Sequence, residues 1–264
     1  MIHLKNSDEV YSNRHVWMWL LSSLKAGFIN SAGFLATGKF VSHVTGFGTQ
    51  VGVAIGHDDL LFGAELLIIP ISFIMGGAIT SLMLDKKNSG NETPPYHLVQ
   101  GLITFLIFIV ILLGESSWVN IITPFDTDLN YNFVEFIVIA LLCLICGLKN
   151  ALVTWTTFGK IRVTHLTGLS TDIGLHLTRT IFNRGESTRF KEDRKVNLIR
   201  ISTFLCFSTG AFLSAYFFSA IGYKTFLIVM MISLFMTIYS FVDFRSRQTV
   251  KNKDKTLEAA MSEA

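Results

Sequence analysis

Long unbroken apolar runs, rather than the three- and four-residue spacing of a surface helix, dominate this chain. Residues 98–113 read LVQGLITFLIFIVILL and 225–242 read TFLIVMMISLFMTIYSFV. Further runs occupy 133–148, 201–221 and 60–84, the last interrupted only by Glu65. A helix of about 18 or more apolar residues crosses the hydrocarbon core of a bilayer. The first run, Val16 to Ala36, follows a mixed segment containing Lys5, Asp8, Glu9 and Arg14. No cleavage site follows a short apolar stretch there, so the run predicts a retained first span. The pattern as a whole predicts an all-α, polytopic integral membrane bundle whose first partner is the lipid bilayer.

A second pattern lies on top of the first. Residues 42–52 are Ser-His-Val-Thr-Gly-Phe-Gly-Thr-Gln-Val-Gly, and 164–174 are Thr-His-Leu-Thr-Gly-Leu-Ser-Thr-Asp-Ile-Gly. Upstream, Gly27-x-x-Asn30 matches Gly147-x-x-Asn150. Downstream, Phe73-x-x-Gly76-Gly77 matches Phe207-x-x-Gly210-Ala211, with Thr80 and Ser214 following. Three blocks in one order indicate two homologous halves. Long spans are expected at 16–36, 60–84 and 97–114, then at 133–156, 198–221 and 224–243, with short motif segments at 41–57 and 163–178. The organisation reads as an N-terminal segment 1–15, a first repeat 16–114, a loop 115–132, a second repeat 133–243 with a basic loop 179–197, and a tail 244–264. That tail is polar and expected to fray.

Basic residues decide between two topologies, because Lys and Arg concentrate on the cytoplasmic side. If both motif segments cross, eight spans result, the halves run parallel, and six cations fall outside against fourteen inside. If each segment returns to the side it left, six full spans result and the halves are inverted. Then, of the 22 Lys and Arg, only Lys39 and Lys224 lie outside, Lys25 and Lys149 lie in the membrane, and eighteen lie inside. The count favours six full spans plus two short motif helices, with both termini cytoplasmic.

Composition agrees: 16% of residues are charged and mean hydropathy is +0.50, where a soluble domain carries about a quarter charged residues. Cys143, Cys146 and Cys206 all fall in expected spans and read as small packing residues.

On a helix, His165, Gly168, Asp172 and His176 share one stripe, and Leu166, Leu169, Ile173 and Leu177 the opposite one. His43, Gly46, Gln50 and His57 stand against Val44, Phe47, Val51 and Ile55 in the first copy. Polar stripes at membrane depth are expensive against lipid, so they are expected to face each other, a partner helix or a wet cavity. Each Thr-Gly pair opens a helix, where free N–H groups and the positive dipole end favour anions. Ser42 or Thr164 capping those amides would explain the pairs with no ligand, but capping does not need the histidines or Asp172. The candidate solute- or ion-binding residues are therefore His43, Thr45, Gly46, Gln50, His165, Thr167, Gly168 and Asp172. Asn30, Asn150, Thr49 and Thr171 are expected to support them. Asp172 is the sharpest, with Lys149 or His165 as its expected partners. Glu65 and Lys25 are within snorkelling reach of an interface and read as peripheral. His165, Asp172 and His176 are too spread to ligate one metal, so neither metal nor cofactor is expected. Nothing matches a nucleotide loop, a nucleophile elbow or a nucleic-acid module, which argues against an enzyme and against nucleic acid as a partner.

With Gly27-x-x-Asn30, Ser-His-Val-Thr-Gly and Gly147-Leu-Lys-Asn150-Ala-Leu-Val, residues 16–243 resemble the YoaK family of bacterial membrane proteins, a group of unknown function. One position departs: this chain has Phe47 where the family pattern has Asn. The resemblance implies a bacterial inner-membrane location and no particular activity. The site residues instead point to a secondary transporter or permease for a small polar or anionic solute with a coupling ion. The alternative is a non-transporting scaffold or accessory subunit, and the glycine-rich faces would also suit a homo-oligomer.

Overall fold

A computed structural model describes residues 10–11, 13–88, 94–116, 133–182 and 188–262. Residues 1–9, most of the expected loop at 115–132 and the Glu65 side chain lie outside the described residues. The described residues are all-α: α1 (Asn13–Thr37), α2 (Val44–Gly56), α3 (Leu60–Leu66), α4 (Ile68–Asn88), α5 (Tyr96–Gly114), α6 (Phe133–Thr156), α7 (Leu166–Phe182), α8 (Thr188–Ile221) and α9 (Phe226–Ser262), with a 3-10 turn at Gly222–Thr225 before α9. Four segments are long and apolar enough to cross a membrane: Phe62–Asp85, Tyr96–Gly114, Phe133–Thr156 and Arg194–Val250. The last contains most of α8, the turn and much of α9.

Three expected elements differ. The single span over 60–84 is two helices, α3 and α4, broken at Leu67. Pro70 lacks an N–H, and its ring crowds the carbonyl of Leu66 four residues back. The basic loop at 179–197 is largely helix, since α7 runs to Phe182 and α8 starts at Thr188; residues 183–187 lie outside the described residues. The tail continues α9 to Ser262 instead of fraying.

Helix pairs assemble the bundle: α1 on α8, α4 on α6, and α5 on α9. The first two pairs are glycine crossings. A Cβ at Gly27 would run into the Phe207 carbonyl, and one at Gly210 into the Leu24 carbonyl. In the other pair, Gly147 meets the Phe73 carbonyl and Gly76 the Leu144 carbonyl. Only a residue without a side chain lets two backbones approach so closely. Hydroxyls add to both crossings: Ser23 donates to the Thr203 carbonyl at 2.7 Å, and Thr80 to the Leu148 carbonyl at 3.2 Å.

Contacts along the pairs give their directions. In α1 and α8, Ser23 sits by Thr203 and Gly27 by Phe207, so these helices run the same way. Gly76 by Leu144 and Thr80 by Leu148 make α4 and α6 parallel as well. His97 packs on Phe244 while Gly114 lies on Tyr223, so α5 runs against α9 and the turn before it. Trp17 packs on Tyr239 and Lys25 bonds Ser233, so α1 also runs against α9. Tyr96, opening α5, packs on Trp155 at the end of α6, which makes those two antiparallel. Helices α1, α5 and α8 point one way, and α4, α6 and α9 the other.

Candidate functional site

The second motif builds a site from its first residue. Asn150, on α6, accepts a hydrogen bond of 2.6 Å from Thr164 through its amide oxygen. That bond holds the segment before α7 against α6, so Thr164 is committed to Asn150. His165 follows, and its backbone carbonyl accepts the Leu169 N–H as α7 begins. Its ring folds back over the helix start, so a Cβ at Gly168 would lie 2.7 Å from His165 Nδ1. Glycine three residues after the histidine is what leaves room for the ring.

The ring, Gly168 and Asp172 line a cavity of about 310 Å³ together with Tyr11, Lys160, Arg162, Leu169, Arg200 and Thr203. Two expectations change here. Leu169, assigned to the opposite apolar stripe, shares the polar cavity. Asp172 pairs neither with Lys149 nor with His165: its carboxylate meets Arg200 Nη2 of α8 at 3.2 Å. Asp172 is 49% exposed and Arg200 19%, so the pair contributes little stability. A second guanidinium nitrogen, Nη1, is buried without a hydrogen-bond partner.

Tyr11 closes the wall. Trp19 Nε1 donates to the Val10 carbonyl at 3.1 Å and pins this segment to the bundle. Lys160 stands over the Tyr11 ring, 5.6 Å from its centroid. Burial raises the Tyr11 hydroxyl above the usual phenol range; nearby Arg200 opposes this and Asp172 adds to it. The wall thus carries three cations, Lys160, Arg162 and Arg200, against one carboxylate. The N-terminal end of α7 adds further positive potential. Arg162 and His165 also line a second, more open cavity of about 560 Å³ that reaches Asn150, Gly147 and Phe73.

The first motif repeats the local chemistry in another setting. Ser42 donates to Asn30 at 2.7 Å, as Thr164 does to Asn150. A Cβ at Gly46 would meet His43 Nδ1 at 2.6 Å. His43, Thr45, Thr49 and Gln50 are exposed, however, and neither cavity includes them. Phe47 is buried and anchors α2 in the core, a role that an Asn would not fill. Helix α2 packs on α3 and α4, whereas α7 packs on α8, so the expected meeting of the two polar stripes does not form. Thr49 and Thr171 bond back to the carbonyls of Thr45 and Thr167, and Thr167 is exposed. His57 caps the end of α2, and His176 lies one turn beyond the cavity lining.

A family model for a protein of unknown function (DUF1275) matches residues 18–239, a stretch that includes both Thr-Gly motifs. The chain belongs to that family. The YoaK resemblance is consistent with this membership, and the family description carries no activity. No curated protein and no solved structure matches the chain.

Sequence reasoning did not single out Lys160, Arg162, Arg200 and Tyr11 for this site. Arg200 was legible only as one cation in a basic stretch, and Tyr11 precedes the first span. Their convergence depends on α8 and the N-terminal segment meeting at the start of α7. Gly168→Ala tests the local geometry. Alanine gains about 0.5–1 kcal/mol over glycine within a helix, and the imidazole can swing aside, so thermal stability is expected to hold or rise. The His165 ring resonances should shift nonetheless. Unchanged imidazole shifts would show that the ring does not sit over residue 168.

Proposed function

We propose that the protein is a secondary transporter or permease for a small anionic solute, held in the cavity at the start of α7. The unpartnered Nη1 of Arg200 carries this reading. A buried guanidinium nitrogen seeks an acceptor, and Lys160, Arg162 and the helix terminus give the same place an excess of positive charge. An anion would supply the acceptor and balance the charge.

The architecture that goes with it is a pair of inverted halves in a bacterial inner membrane, with six full crossings and cytoplasmic termini. Helix directions support this: α1 ends and α4 begins at one end of the bundle, so α2 and α3 leave and return there. By the same reasoning α7 leaves and returns at the opposite end, between α6 and α8. Matched contacts support the duplication, since Gly27 on Phe207 and Ser42 on Asn30 repeat as Gly147 on Phe73 and Thr164 on Asn150. Inverted repeats with short helices whose N-termini face the solute are a recurring transporter design.

Cysteines placed at Lys160 and Lys224 test the topology. Six inverted spans expect labelling of Lys160→Cys only from the cytoplasm and of Lys224→Cys only from outside; labelling of both from outside would instead require eight spans. For activity, proteoliposomes carrying the full chain are assayed with labelled inorganic phosphate, sulfate, acetate and succinate. Saturable uptake of at least one, lost in Arg162→Gln, is expected. Uptake of all four at the rate of protein-free vesicles would overturn the proposal.

A further inference from the structure

The anion cavity does not use the most deeply buried ionisable groups among the described residues. Lys25, read from the sequence as peripheral, has 0% exposure in the middle of α1, and Lys149 of α6 has 1%. Helices α1 and α6 pack on each other. A Cβ at Gly33 would lie 3.5 Å from Leu142, and in this antiparallel register Lys25 stands level with Lys149. Lys25 acts on Lys149, the buried thiol of Cys146 acts on both, and no carboxylate from the described residues of α4, α5, α8 or α9 is among these groups. Structural buried lysines are normally paired with a carboxylate, and among the described residues no ion pair joins either of these to one.

The surrounding hydrogen bonds do not replace that counter-charge. Lys25 Nζ reaches Ser233 Oγ on α9 at 3.3 Å. Gln100 Nε2 and Thr104 Oγ1 of α5 lie 2.8 Å and 2.9 Å from the same hydroxyl oxygen. An ammonium has three protons to donate, whereas one crowded hydroxyl accepts at most two hydrogen bonds. A neutral amine, by contrast, can accept from Ser233. The Gln100 Oε1 acceptor is buried with no partner, so a lone proton has an oxygen nearby that it can engage.

We infer that Lys25 and Lys149 form a proton-binding centre at the core of the bundle that gains and loses one proton as a unit. The chemistry is a proton transfer alone: a free amine takes up one proton to become an ammonium, and nothing is oxidised or reduced. Two charged amines in a low-dielectric interior repel each other, and each also loses its hydration. The favoured states therefore carry at most one charge between them, and the pair titrates jointly. The inference goes beyond the transporter reading and does not depend on it.

The test is solid-state ¹⁵N NMR of the full-length protein, labelled at lysine Nζ and held in bilayers, titrated from pH 5.5 to 9. A neutral-amine signal is expected that converts to ammonium within this range and is assigned by its loss in Lys25→Met or Lys149→Met. Removing one lysine is expected to move the midpoint of the other by at least one pH unit. Ammonium signals alone throughout, a neutral signal that never converts, or a midpoint indifferent to its neighbour would each overturn the inference. The wild-type titration decides the first two outcomes even if a variant fails to fold, and Lys149→Arg provides a charge-retaining alternative. No solute enters the experiment, so its failure is distinct from failure of the anion proposal.

Discussion

Gly27→Ala is expected to leave little folded protein in the membrane. The added Cβ would fall far inside van der Waals contact with the Phe207 carbonyl, which is backbone and cannot rotate away. Overpacking a core that can adjust its side chains costs about 1–3 kcal/mol. Here α1 and α8 must move apart, which also strains the Ser23 bond to Thr203. The loss should reach the upper end of that range or exceed it, a large share of a typical protein's margin of about 5–15 kcal/mol. Gly147→Ala should act alike at the α4–α6 crossing. Gly48→Ala and Gly52→Ala are the controls, because a Cβ at either meets nothing within 4 Å. Thermal unfolding in detergent reads the difference. If Gly27→Ala melted within a degree or two of Gly48→Ala, the crossing would not be as close as described.

The second large effect is a pair of opposite signs. Arg200→Gln removes the guanidinium whose Nη1 has no acceptor, and it should weaken phosphate or sulfate binding by roughly 10- to 100-fold, the value of about 1.5–3 kcal/mol for a hydrogen bond to a charged group. Asp172→Asn removes the cavity's carboxylate and releases Arg200, so binding of the same anions should strengthen by several-fold. Neither change should cost much stability, since the Asp172–Arg200 pair is open to solvent on the carboxylate side. Calorimetric titration of the purified protein with both anions measures the two constants. If both variants weaken binding alike, the pair acts as a structural clamp and the anion proposal fails. A cation site would reverse both signs.

These expectations show how far single residues could be read in advance. Gly27, Gly147, Asn30 and Asn150 were legible because each recurs at a fixed place in a duplicated pattern. The structure gives each pair equivalent neighbours, Phe207 and Phe73 for the glycines, Ser42 and Thr164 for the amides. Asp172 was legible as a carboxylate on a polar stripe, but its partner was not. Arg200 lies 28 positions further along the chain, and only the packing of α8 on α7 brings it near. Lys25 was misjudged because snorkelling depends on what surrounds a side chain. With α6, α8 and α9 packed around α1, no path to an interface remains. The equivalence of the two motifs also misled: His43 and His165 share local chemistry and both are exposed, but only His165 lines the charged cavity.

The amino-acid sequence by itself determined the helical class, the long apolar segments, the paired Thr-Gly motifs and the glycines that let helices touch. Hydropathy, glycine and hydroxyl side chains act locally or at fixed spacing, so these properties can be read along one strand of text. Tertiary structure alone decided where the ionisable groups end: Lys160, Arg162 and Arg200 around one cavity, and Lys25 and Lys149 buried on two packed helices. Electrostatic energy depends on distance and burial, and both quantities arise only when segments remote in the chain are packed together.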